Sequence, residues 1–113
     1  MAAQVRRISG FVVLPPECPR TTARIVVEVR DVTYLDAAAP LVAEVVTTGV
    51  AIGPGVRWPF TVDAPAGTGL GLACHVDLAG DGVLVAGDLV SVQAVPVPAQ
   101  GAVSDMSIPV RTV

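Results

Sequence analysis

The sequence predicts an all-β fold: a single-domain antiparallel β-sandwich of seven or eight short strands spanning residues 1–113, with a small β-barrel as the alternative. Three observations predict it. The stretch Ala23–Thr33 sets Ile25, Val27 and Val29 on one side of an extended chain and Arg24, Glu28 and Arg30 mostly on the other, the two-residue period of a half-buried strand. Its β-branched residues disfavour a helix. Eleven glycines and ten prolines are spread along the chain, as turns between many short strands require. No 3.6-residue apolar stripe runs long enough for an ordinary helix.

Taken in order, Arg6–Leu14 reads as the first strand, with Phe11 and Val13 expected to face the core and Gly10 allowing a bend or close packing. Pro15–Pro19 is a loop, because its three prolines cannot donate to a ladder. Ala23–Thr33 is the central strand. Asp31–Pro40 connects it onward through an alanine run that can hold one helical turn. Leu41–Thr48 is the third strand, with Glu44 pointing to solvent, and Gly53-Pro54-Gly55 marks the turn after it. In the fourth strand Val56, Trp58, Phe60 and Val62 are the core row, and Pro59 places the strand at an edge or bulge. Leu70–Asp77 is the fifth, its apolar row being Leu70, Leu72, Cys74 and Val76. Asp81-Gly82 supplies the left-handed positions of a hairpin turn. Val83–Ala86 and Val90–Val97 follow as strands, and Ser107–Val113 closes the sheet, with Pro109 again suggesting an edge.

Composition excludes some function classes. Hydrophobic residues make up 52% and charged residues only 15%, so a buried core is expected and disorder is not. The net charge of −3 leaves no positive footprint for nucleic acid. The N-terminal segment has two arginines without an apolar run behind them, so neither a signal peptide nor a membrane span is expected. The sequence as written therefore reads as cytoplasmic. Cys18 and Cys74 form no CxxC, and with the single His75 they fall short of a zinc ligand set. A disulfide between them needs an oxidising compartment.

Candidate chemistry is sparse, and no catalytic or cofactor-binding set stands out. His75 is the only histidine, so acid–base or metal chemistry must pass through it. Strand alternation places it opposite Cys74, on the wet face beside Asp77, about 7 Å away. Asp77, Asp81 and Asp88 gather around one hairpin, but their spacing is not that of an EF-hand, and turn chemistry accounts for them. Cys74 reads as inert core and Cys18, in its proline loop, as the more exposed thiol. Trp58 can line a pocket, although a core position is its ordinary use. His75, Asp77, Trp58 and Asp88 are the candidate ligand or surface residues; no metal or cofactor is called for.

A collinear series of segments resembles the YbaY/YscW-type domain, a family of small bacterial lipoproteins that includes type III secretion pilotins. The pieces are Ile8-Ser9-Gly10, Leu14-Pro15-Pro16, Val27 to Thr33, Asp36-Ala37, Ala43-Glu44, Trp58 to Val62, Gly82, Leu84, Gly87-Asp88 and Pro96-Val97. The resemblance implies a β-sandwich without catalytic residues, a periplasmic or outer-membrane setting, and chaperone-like binding of a hydrophobic peptide. The chain departs from the family in having no lipobox cysteine and in carrying Leu70-Gly71-Leu72 where the family's fifth strand bears a tyrosine. Two functions are therefore expected. The first is a non-enzymatic sandwich that binds a protein or peptide, or a second copy of itself, along an exposed edge, with Leu41–Thr48 or Val90–Val95 as the open strand. The alternative is a small barrel that binds or cyclises an apolar metabolite through a mouth lined by Trp58, Phe60 and carboxylates.

Overall fold

A computed structural model describes residues 5–33 and 39–113. The possible helical turn of the alanine run falls mostly on residues 34–38, outside the described residues. The elements are β1 (Val5–Val13), β2 (Thr21–Asp31), β3 (Leu41–Ile52), β4 (Arg57–Pro65), β5 (Leu70–Asp77), β6 (Leu89–Ser91), β7 (Val95–Pro96) and β8 (Val103–Thr112). They form one eight-stranded sheet in the order β3-β2-β5-β6-β8-β1-β4, with β7 paired to β5. The sheet folds over on itself until its two end strands, β3 and β4, lie side by side without a ladder between them among the described residues. The fold is all-β and stands between a sandwich and a barrel that is almost closed.

β8 makes this closure. Its last residues, Val110–Thr112, pair antiparallel with β6, while Val103–Pro109 pair with β1, and that pairing is parallel. Pro109 sits where the strand passes from one neighbour to the other, a point at which a missing N–H is tolerated. The edge position expected of the last strand is thus corrected: β8 is interior. Its register against β1 shifts between Ile8 and Gly10, and Asp105 in the bulge adopts φ 61°, a left-handed conformation that aspartate tolerates. The backbones approach closely here. A Cβ on Gly10 would lie 2.0 Å from the Met106 carbonyl oxygen, so only glycine fits.

The core fills the space between the folded halves. Ile25, Val27 and Val29 of β2 have no exposed surface, as the alternation predicts, and Leu72 and Val76 of β5 pack there equally buried. On β1 the inward row is Arg6, Ile8, Gly10 and Val12, the reverse of the expected one. Phe11 is half-buried on the outer face, beneath the Arg57 guanidinium at 4.7 Å. Phe60 and Val62 are core, but Trp58 is only partly buried against it. Leu14 and Cys18, 1% and 2% exposed, close one end of the barrel, so Cys18 is not the exposed thiol expected. Burial, and then the nearby Glu17 charge, push its pKa up. Cys74 is pushed up to about 12 by burial first and Glu28 second, and both cysteines are free.

One expected strand does not form and another is broken in two. Val83–Ala86 is part of a long loop from Leu78 to Asp88, in which Val83, Leu84 and Val85 are exposed. Val90–Val97 breaks into β6 and β7, and β6 lies inside the sheet between β5 and β8. Val90 and Ser91 are therefore interior and offer no open edge, while Val95, in β7, pairs with β5 alone.

Candidate functional site

Three of the four residues singled out from the sequence come together at the end of β5. Donor atoms of His75, Asp77 and Asp88 lie within 4.8 Å of one another. The expected wet face is not what holds them: Asp77 and Asp88 are 0% and 1% exposed. His75 Nε2 meets Asp88 Oδ2 at 2.9 Å. The Asp88 carboxylate also accepts the Leu78 N–H on Oδ1 and the Val85 N–H on Oδ2. Asp77 accepts the N–H groups of Gly80 at 2.9 Å and Gly82 at 2.7 Å, with Arg24 Nη1 3.9 Å away.

Every carboxylate oxygen of this cluster is therefore engaged by backbone. The two aspartates fold the 78–88 loop around themselves and satisfy N–H groups that the missing ladder leaves free. For Asp88 burial is the largest influence and raises the pKa; the bonds from His75, Leu78 and Val85, with the His75 charge, outweigh it and hold the carboxyl below its ordinary value. A divalent ion at these three side chains would share carboxylate oxygens that already accept N–H groups. Asp81, the third aspartate of the hairpin, is apart from them and accepts the Val83 N–H. Trp58, on β4, takes no part.

The two ends of the sheet differ in what they offer a partner. The Leu14 N–H donates to the Val56 carbonyl at 2.9 Å, one step beyond the Val13↔Arg57 pair. Hydrogen-bonded and non-bonded pairs alternate along an antiparallel ladder. Phe11↔Pro59 and Val5↔Pro65 are then both non-bonded pairs, and the nitrogens of both prolines face outward. The free edge of β4 is thus short of two donors and poorly suited to receive another strand. β3 has no proline in its twelve residues. Its inward-facing Ala43, Val45 and Thr47 are only half-buried, although the β2 residues they pair with, Val29, Val27 and Ile25, are fully so. On its outer face Val46 is 40% exposed.

Clefts formed by the described residues include the following. One of about 920 Å³ is lined by Arg6 and the loops around Gly67 and Gln100; one of about 380 Å³ opens between the β6–β7 segment and β8, lined by Val92, Pro96, Pro109 and Arg111; a third of about 180 Å³ lies by Thr22 and Gly49. Neither Trp58 nor Phe60 lines any of them, and Phe60 is closed into the core at 4% exposure. Sequence reasoning anticipated the β3–β4 difference through Pro59 and the proline-free Leu41–Thr48, but it left Leu41–Thr48 and Val90–Val95 as alternatives, because edges are set by topology. It missed Arg6, which the two-residue period already placed in one row with Ile8 and Val12.

The fold has a counterpart among solved structures. An alternative pilotin from the type II secretion system of Vibrio cholerae superposes with a TM-score of 0.70 at 18% sequence identity, over 97% of this chain and 98% of that one. The chain has a pilotin-like fold. No protein-family model and no curated protein matches the sequence.

Proposed function

We propose that this chain is a non-enzymatic, pilotin-like binding protein that receives an extended apolar segment of a partner, or of a second copy, along the free edge of β3. The carrying observation is that edge: twelve residues without proline, ending the sheet with no ladder among the described residues on the side away from β2, over a half-covered row. An added strand would hydrogen-bond the edge, and alternate apolar side chains would complete the cover of Val45 and Trp58. The low net charge of −3 opposes association weakly.

The pilotin-like fold and the ordered YbaY/YscW-like segments support this class of function, with a chaperone-like role toward a secretion component and a periplasmic or outer-membrane setting as its finer form. No helix among the described residues is long and apolar enough to cross a membrane. Hydrogen exchange followed by NMR tests the reading. A short β-branched peptide is expected to protect the β3 amides, while sedimentation at several concentrations reports self-association. A peptide that binds without protecting any β3 amide, or no binding together with a monomer at every concentration, refutes it.

A further inference from the structure

The barrel end opposite Leu14 holds a charged group that edge binding does not use. Arg6 stands in the inward row of β1 and is only 7% exposed. Its Nη1 donates to the carbonyl oxygens of Pro98 and, at 3.5 Å, Gly101. Nε and Nη2 are buried and have no hydrogen-bond partner among the described residues. A guanidinium stays charged at any pH of interest, and a buried charge lacking partners is costly to the fold. The adjacent Arg7 has a carboxylate, Asp63, at 3.5 Å; among the described residues Arg6 has no such ion pair.

The two idle donors share one edge of the planar group. Nε–H and one Nη2–H point the same way, at the spacing that matches the two oxygens of a carboxylate. Arg6 also lines the 920 Å³ cleft, whose walls include the apolar Val5, Ala66 and Ala102 and the polar Thr68 and Gln100.

We propose that this cleft is a binding site for a small aliphatic carboxylate. The two oxygens take the Nε/Nη2 edge of Arg6, and a short apolar tail lies against Val5, Ala66 and Ala102. Because the edge itself is closed to solvent, entry requires the loop at residues 99–102 to open transiently and close again over the ligand. One backbone bond, from the Gly67 N–H to the Ala99 carbonyl at 3.0 Å, ties that loop to the β4–β5 turn. A phosphate fits less well. Its further charged oxygens would be left against the apolar Val5, Ala66 and Ala102.

The test is a titration of the intact chain with sodium propionate at constant ionic strength, followed by NMR of the arginine side chains and backbone amides. Propionamide and inorganic phosphate serve as controls. Saturable propionate binding is expected, with the Arg6 Nε–H signal moving together with the Thr68 and Gly101 amides and no response to propionamide. Arg6→Lys keeps the charge but loses the fork, and is expected to weaken binding about tenfold or more. Ala102→Phe fills the exposed wall without touching the guanidinium; it is expected to abolish binding in a folded chain, so the proposal remains testable even where Arg6→Lys does not fold. Propionamide binding as well as propionate, phosphate binding more tightly, unchanged binding in Ala102→Phe, or an Arg6 signal unmoved throughout the titration would each overturn the proposal.

Discussion

β2 and β3 carry the same kind of alternation and pair with each other along most of their length, yet their inward rows are buried to different depths. Ile25, Val27 and Val29 are wholly covered; their partners Thr47, Val45 and Ala43 are not. The residue types do not explain this, since valine stands in both rows. The second neighbour does. β2 has β5 on its far side, whereas β3 has only the unladdered approach of β4. Alternation identifies the inward face of a strand, and topology decides how dry that face is.

The largest effect is expected where the closed side is tightest. Gly10→Ala drives a Cβ into the Met106 carbonyl, a backbone atom that yields only if β1 and β8 separate. A loss of more than about 3 kcal/mol, or failure to fold, is expected from denaturant titration. Next comes a matched pair across the comparison. Ile25→Ala is expected to cost about 3 kcal/mol, within the range for buried isoleucine truncations. Val45→Ala, in a row that is already half open, is expected to cost only about 1 kcal/mol. Trp58→Ala falls between them at about 2 kcal/mol, below the value for a fully buried tryptophan. Equal shifts in the denaturant midpoint for Ile25→Ala and Val45→Ala would mean that β3 is covered in solution, and the contrast between the two strands would be lost.

The closed side also carries a titrating clamp. The pKa of Asp88 is lowered in the folded chain, so its contribution to stability is present above the ordinary carboxylate pKa of about 4. That contribution is lost as the pH falls through the folded value. Melting temperature is therefore expected to drop on acidification below about pH 4, and to drop less steeply in Asp88→Asn. A variant that keeps the full acid dependence would assign it to other carboxylates.

The sequence made some of this legible and hid the rest for physical reasons. β5 was readable to the residue, because Leu70–Asp77 alternates cleanly and lies between Gly69 and the Leu78 loop. Gly10 was readable as a point of close packing, since little else calls for a glycine inside a strand. The gathering of His75, Asp77 and Asp88 was only half readable. Strand period placed His75 and Asp77 on one face, but nothing local shows that Asp88 returns to them after eleven residues or that both aspartates turn inward to hold N–H groups. The loop at Val83–Val85 has the residues of a strand and lacks only a partner. Pro59 and Pro109 look alike in sequence; one blunts an edge and the other sits at a handover between two neighbours, and only the pairing distinguishes them.

The smallest expected change in stability tests the comparison most directly. Val46→Lys and Thr61→Lys both alter exposed residues, on β3 and β4 respectively, and each is expected to change stability by no more than about 0.5 kcal/mol. Their effects on strand addition should differ. The β3 edge has its backbone groups available, so a lysine at position 46 adds charge and a solvated side chain beside any incoming strand and is expected to weaken peptide binding or self-association. The β4 edge already lacks donors at Pro59 and Pro65, so Thr61→Lys has little pairing to disrupt and is expected to leave binding unchanged. Titrating one peptide into both variants by NMR, with sedimentation run alongside, separates the cases. If Thr61→Lys weakens binding and Val46→Lys does not, the partner sits on β4, and the two outward prolines do not block that edge.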